Sequence, residues 1–250
     1  MTAWRESIRE AFELLGYTVH RWPANRFHGM RDALRLLRRA NYSPRVIIDG
    51  GANMGTWTRM ARAIFSGATF HLIEPQPACR RPLEDIVRSS PGFVCHPVAL
   101  TEPGVARVRL IGGGEAGGGT GAWVATHGER GPDEVECAAA TLDSLLADCV
   151  TREDRGLLKL DLEGYELQAL RGAARLLGVL EVVVSEVQFF DVTADSRPVF
   201  ADVLRFLGEC GFELYDFASL SPRPRDGRLK MGDVVFVRRD SPLLADRSWR

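Results

Sequence analysis

Several features that would place a chain quickly are missing from this one. Its five cysteines, Cys79, Cys95, Cys137, Cys149 and Cys210, are scattered and odd in number, and none falls in CxxC spacing. That pattern argues against a disulfide framework or a zinc knuckle. No apolar run reaches membrane-spanning length, and the N-terminal segment carries Arg5, Glu6, Arg9 and Glu10 where a signal peptide would be apolar. Net charge is almost absent: 32 basic and 33 acidic residues leave −1, so no global field draws nucleic acid or an anionic membrane. The expectation is a soluble, reduced, cytoplasmic protein with neither kind of partner. No internal repeat and no linker divides the chain, which is read as one domain over 1–250.

What is present is an alternation of strand and helix patterns. With 250 residues, 45% of them hydrophobic, the chain can bury one sizeable core. Residues 3–15 and "GMRDALRLLRRA" carry apolar residues at helical spacing, and Ser43-Pro44 ends the second helix. These N-terminal helices, within 1–44, are expected to form a lid. From Val46 the order is strand "VIID", helix "TWTRMARAIF", strand "ATFHLIEP", helix "PACRRPLEDIVRS" and strand "GFVCHPVAL". Such alternation predicts parallel strands joined by crossover helices, a doubly wound sheet over 45–240. Over 101–140 the rhythm breaks into short strands, "ARVRLIG", "AWVATHG" and "VECAAATL", an antiparallel insertion around the glycine-rich 112–121. It resumes with strand "GLLKLDLEG" and helix "ELQALRGAARLL", whose Leu167, Leu170, Ala174 and Leu177 would share a face. Strand "LEVVVSEV", helix "PVFADVLRFLGEC", strand "FELYDF", an irregular loop "ASLSPRPRDGRLKMG" and strand "DVVFVRR" complete the chain.

In open α/β sheets ligands bind beyond the carboxyl ends of the strands, and "DGGANMG" sits there after the first strand. A dinucleotide turn wants glycine at its first, third and sixth positions. Gly50 and Gly55 fit, but Ala52 stands where backbone must approach a pyrophosphate, and the Asp49 carboxylate would repel that anion. A ligand with an ammonium and a sulfonium would be attracted instead, and S-adenosylmethionine is such a ligand. Glu74 closes the second strand, where an acid can accept from both ribose hydroxyls.

The stretches "IIDGGANMGTWT", "LIEPQP", "TLDSLL" and "LLKLDLEGYELQALRGAARLL" together resemble the FkbM family of S-adenosylmethionine-dependent methyltransferases. Gly50 replaces the valine of that family's D-V-G-A-N-x-G opening. The resemblance covers roughly 45–190 and extends to "DVVFVRR" as last strand. It implies a mostly parallel, seven-stranded, Rossmann-like class I methyltransferase sheet, and O-methylation of a small-molecule hydroxyl on a sugar, polyketide or other natural product. Carried over by position, Asp49, Gly51, Asn53 and Gly55 would hold the methionine end, with Gly50 in the same cofactor-binding turn. Glu74 would hold the ribose with Pro75 shaping the turn, Val98 and Ala99 would edge the adenine, and Asp161 would face the sulfonium.

Methyl transfer to oxygen needs in-line alignment and removal of a proton, by a base or a metal. Asp161, Glu163 and Glu186 at neighbouring strand ends are the candidates for either task, as base or as ligands of a divalent cation such as magnesium. Glu166 is expected to serve the helix start instead. Trp123 and His127 in the insertion are weaker candidates for substrate contact, with His127 an alternative base. His71 and His96, inside apolar strands, are expected to be core residues. An NAD(P)-dependent oxidoreductase is disfavoured by Ala52 and Asp49. Two further readings are a nucleic-acid methyltransferase, which "DLEG" does not fit, and a catalytically silent cofactor-binding module.

Overall fold

The structure is a computed structural model that describes residues 11, 12, 14, 15, 26–113, 121–125, 128–191, 197–246 and 248. Seven strands form the main sheet: β1 (Val46–Gly50), β2 (Thr69–Ile73), β3 (Phe93–His96), β8 (Leu157–Leu160), β9 (Val182–Gln188), β10 (Phe212–Pro222) and β11 (Leu229–Arg238). Their order is β10-β11-β9-β8-β1-β2-β3. Pairings from β3 to β9 are parallel, and β11 runs antiparallel to both its neighbours. Order reverses between β1 and β8, and a crevice opens there above the strand ends.

Helices cover both faces, which explains why the central strands are apolar without alternation. All five residues of β1 and all four of β8 are buried. On one face lie α1 (Arg26–Arg39), α2 (Thr56–Ile64) and α3 (Pro77–Ser89), packed on Ile47, Phe70 and Leu72. On the other lie α4 (Leu142–Leu146), α5 (Glu166–Arg171), α6 (Ala174–Leu177) and α7 (Phe200–Glu209), packed on Ile48, Ile73, Leu158 and Phe236. Helix α1 buries Met30, Ala33, Leu34 and Leu37, a stripe at helical spacing. It lies close on β10, because a Cβ at Gly29 would sit 2.0 Å from the Ala218 carbonyl oxygen. This is how α1 is fixed beside the strand ends.

Three expectations change. "GFVCHPVAL" is not one strand: β3 ends at His96, and β4 (Ala99–Leu100) joins a second sheet with β5 (Arg107–Ile111), β6 (Trp123–Val124) and β7 (Val135–Ala140). That sheet, ordered β4-β7-β5-β6, is the insertion; β4–β7 is parallel and the other pairs antiparallel. The helix over 166–177 breaks at Gly172, where a Cβ would sit 2.1 Å from the Thr101 carbonyl oxygen. The break rotates the following turn, so Ala173 is buried and Ala174 exposed. Most of the "irregular loop" is strand, because β10 and β11 extend as a hairpin whose connection is only 223–228. Bulges along that pair disturb the period-two pattern, which is what hid it.

Candidate functional site

A cavity of about 490 Å³ opens at the β1/β8 crevice, within the usual range for a small-molecule site. One end is made by the first turn. Gly51 has φ +74, and a Cβ there would meet the Asp161 carbonyl oxygen at 2.0 Å, so the turn is pressed against the end of β8. Asn53 is also left-handed, with φ 48, a conformation asparagine tolerates. Its N–H donates to Glu74 Oε2 at 2.8 Å, and the Gln76 N–H donates to Glu74 Oε1 at 3.0 Å. Two loops thus hold one buried carboxylate on the cavity wall. Burial raises its pKa, opposed by those two N–H groups.

Asp49 behaves differently from the expectation. It is fully buried and does not line the cavity. Its oxygens accept from Thr58 Oγ1 at 2.5 Å and Lys159 Nζ at 2.9 Å, and Lys159 also donates to the carbonyls of Gly50 (3.2 Å) and Gly51 (2.8 Å). Burial alone would lower the Lys159 pKa, but the charge and hydrogen bond of Asp49 hold it above its ordinary value. The pair ties the turn to β8 from below. Asp49 therefore acts on a ligand only through the turn. Gly50 and Gly55 also stand behind the wall: a Cβ at Gly50 would press on Leu160 (2.8 Å) and Leu100 (2.9 Å), so the valine usual in the family needs those side chains to move. A Cβ at Gly55 would meet Ile86 at 2.2 Å.

Gly51, Asn53, Glu74, Pro75, Val98, Ala99, Asp161 and Glu163 all line the cavity. Trp57 and Gln76 line it too, and the sequence reading missed both. Trp57 Nε1 and Gln76 Oε1 are buried with no hydrogen-bond partner, one donor and one acceptor. Their residues stand within "GTWT" and "IEPQP", so proximity to the motifs was the available signal.

The other end of the cavity is lined by Arg26, Phe27, Asp161, Leu162, Glu163 and Tyr165. The turn after β8 places Glu163 at φ +54 and Gly164 at φ +95. Glu166 secures that turn, accepting from the Leu162 N–H at 2.7 Å and the Gly164 N–H at 3.3 Å, a structural duty as expected for this residue. Burial pushes its carboxyl up to about 7. Burial, and next the charge of Asp161, also raise Glu163. Glu186 lies within β9, two residues before its end, and does not line the cavity, which corrects its expected contact with substrate; its carboxylate is buried beside Arg26. Burial and then the Asp161 charge push Glu186 well above the carboxylate range.

Arg26, unremarked in the sequence, gathers these acids. Its Nη1 lies 2.6 Å from Glu186 Oε2, out of hydrogen-bonding line, and its Nη2 lies 3.4 Å from Asp161 Oδ2. Nε and Nη2 grip both oxygens of buried Asp233, at 3.1 and 2.5 Å. Among the described residues no three His, Cys, Asp or Glu side chains are grouped to hold a metal ion, so the expected magnesium ligands Asp161, Glu163 and Glu186 do not fit one as they stand.

The insertion supplies Leu110, Gly121, Ala122 and Val124 to the wall, while Trp123 is not among the lining residues. His127 lies outside the described residues. Arg197 clamps the insertion to the β8 turn, donating to both oxygens of Glu129 at 3.1 Å and to the Glu163 carbonyl at 3.2 Å. His71 and His96 are half-buried and bonded to each other at 3.1 Å, away from the cavity wall.

This strand order, with β11 antiparallel between β9 and β10 and a cavity over the β1/β8 crevice, defines a class I methyltransferase fold. The chain matches the methyltransferase FkbM domain over residues 49–214, and it belongs to that family of S-adenosylmethionine-dependent methyltransferases. No curated protein matches it. Among solved structures, a protein assigned as a sarcosine dimethylglycine methyltransferase from Galdieria sulphuraria shares the fold at 11% identity and TM-score 0.52, with 94% of this chain and 98% of that one covered. An O-methyltransferase family protein from Burkholderia thailandensis aligns at 10% identity and TM-score 0.47, covering 94% of this chain. The present chain spans 59% of that protein's length. No described helix is long and apolar enough to cross a membrane.

Proposed function

We propose that the protein transfers a methyl group to a hydroxyl of a small molecule, a sugar, polyketide or related natural product. The carrying observation is the single cavity that joins the Glu74 end to the Asp161 end at the carboxyl edge of the sheet. The residues at the first end fit S-adenosylmethionine. Glu74 presents lone pairs left over from its two backbone N–H bonds, suited to ribose hydroxyls, and Gln76 and Trp57 carry the two unpartnered polar atoms. When bound, that cofactor supplies an electrophilic methyl carbon and a thioether leaving group.

The remaining chemistry falls to the chain. Asp161 is the one acid of the expected catalytic set that both lines the cavity and ends the central strand next to the first turn. It accepts the hydroxyl proton at a carboxylate oxygen as the acceptor oxygen forms its bond to carbon. Glu163 and Tyr165 line the same end and orient the acceptor, and the apolar side chains of Phe27, Leu162 and Val124 exclude water. Glu186 acts behind them. A largely apolar cavity of about 490 Å³ suits a small molecule rather than a nucleic-acid strand, and the acids around Asp161 disfavour a phosphate backbone.

The test is release of S-adenosylhomocysteine over a panel of glycosides, polyketide alcohols and amines, with and without EDTA. Turnover confined to hydroxyl acceptors supports the reading. Turnover only on amines, or tight NADH binding with none of S-adenosylhomocysteine, contradicts it.

A further inference from the structure

We infer that Arg26 is the resident cation of the acceptor end, holding Asp161, Glu186 and Asp233 together in place of a divalent ion, so that transfer proceeds without a metal. This rests on the methyl-transfer reading above. Three carboxylates from three different strands converge on one guanidinium: Asp161 at the end of β8, Glu186 in β9 and Asp233 in β11. Glu186 and Asp233 are almost wholly buried, and removing the guanidinium would leave both acids in a low-dielectric interior without the cation that contacts them. Asp233 is fixed in turn by the Ser219 hydroxyl, which donates to it, and its N–H reaches Ser219 Oγ at 3.3 Å.

The guanidinium is also fixed from its own side. Arg26 is the first described residue of α1, which meets the β10 backbone at Gly29, one turn later, where no side chain could intervene. Phe27, next to it, lines the cavity. Other charged groups around the cluster are Glu163, Glu166, Lys159 and Lys230. Lys159 is committed to Asp49 and two carbonyls, and Lys230 bears on Glu163. Arg26 is thus the cation that contacts all three acids, and a planar fork with several donors suits that task better than a point charge. Because Arg26 also lines the cavity, it is a positioning residue: it orients Asp161 toward the acceptor and seats the N-terminal helix on the site.

The test is a manganese titration, read by the paramagnetic resonance of the free ion, with and without S-adenosylhomocysteine. Wild type and Arg26→Lys are expected to hold no ion at micromolar concentration. Arg26→Gln is expected to gain a site at least tenfold tighter than wild type, and Arg26→Gln combined with Glu186→Gln to lose it again. With a hydroxyl acceptor in hand, Arg26→Gln should lower kcat at least tenfold, leave the KM for S-adenosylmethionine within about threefold, and be partly rescued by Arg26→Lys. Micromolar manganese binding by wild type that Asp161→Asn abolishes would overturn the inference. So would a folded Arg26→Gln that binds S-adenosylhomocysteine normally yet gains no manganese. Should Arg26→Gln not fold, Arg26→Lys carries the test, because turnover by it that depends on added metal overturns the inference and EDTA-indifferent turnover supports it. Loss of S-adenosylhomocysteine binding in wild type counts instead against the cofactor reading, which the ion titration alone does not touch.

Discussion

At the cofactor end of the cavity, backbone does most of the work: the N–H groups of Asn53 and Gln76 hold Glu74, and the turn closes through Gly51 against the carbonyl of Asp161. At the acceptor end, side chains from α1, β8, β9 and β11 meet around Arg26. The first end is built mainly from residues 49–76, one short stretch braced from a distance by Lys159 and the Asp161 carbonyl. The second depends on contacts between residues more than a hundred positions apart. Backbone-built sites tolerate little change at glycine and much at neighbouring side chains. Side-chain-built sites can be retuned one residue at a time, which suits the end that meets a varied acceptor.

Breaking the tie between the two ends should have the largest effect. Lys159→Ala leaves Asp49 buried without its cation, a loss of about 3–5 kcal/mol in unfolding free energy by urea titration. If stability changes by less than about 1 kcal/mol, the pair is not what seats the turn on β8. Gly51→Ala adds a left-handed alanine whose Cβ meets a carbonyl oxygen, for about 2–4 kcal/mol. The same substitution at solvent-facing Gly227, also left-handed but with open space around it, should cost only the conformational part, about 1–2 kcal/mol. Equal losses at both would remove the close approach to β8 from the account.

The acceptor end carries a pH signature that the cofactor turn can be compared with. Glu166 has a folded pKa raised to about 7 from an ordinary 4.5, so the folded state binds its proton more tightly than the unfolded chain. Its contribution is fully present below the ordinary value and is lost as pH rises from about 4.5 to about 7. The loss is on the order of 3 kcal/mol at most. Glu166→Gln should make the fall in stability across that window shallower, the rest of it belonging to the raised carboxyls of Glu74, Glu163 and Glu186, as followed by urea unfolding at a series of pH values. A wild-type curve that rises from pH 5 to 7 and is unchanged by the substitution would contradict this. Asp161→Asn has the smallest expected free-energy effect, at least tenfold in kcat or about 1.4 kcal/mol, with stability near wild type. Wild-type turnover by that variant would move proton removal elsewhere, with His127 the next residue to test.

The same contrast explains what the sequence disclosed. The doubly wound sheet, the insertion and the first turn were legible because each rests on local pattern: apolar strands, 3.6-residue stripes, glycine beside Asp49. Asp49 was legible as a motif residue but not as a buried one, because its partner Lys159 is 110 positions away and reads as part of an apolar strand. Glu74 stands on the cavity wall where strand-end reasoning put it, and Pro75, Val98 and Ala99 stand there as the family resemblance implied. Arg26 gave no local signal among many arginines. The split of 93–100 between two sheets and the break at Gly172 depend on Thr101 and β7, contacts that no periodicity records.

The central claim, one cavity with a backbone-built cofactor end and a separate side-chain-built acceptor end, is tested most directly by calorimetry of S-adenosylhomocysteine binding to Glu74→Gln and Asp161→Asn in parallel. The account predicts that Glu74→Gln weakens binding by about 1–3 kcal/mol, while Asp161→Asn stays within a factor of about three of wild type. Unchanged affinity in Glu74→Gln, or a larger loss in Asp161→Asn than in Glu74→Gln, would contradict it.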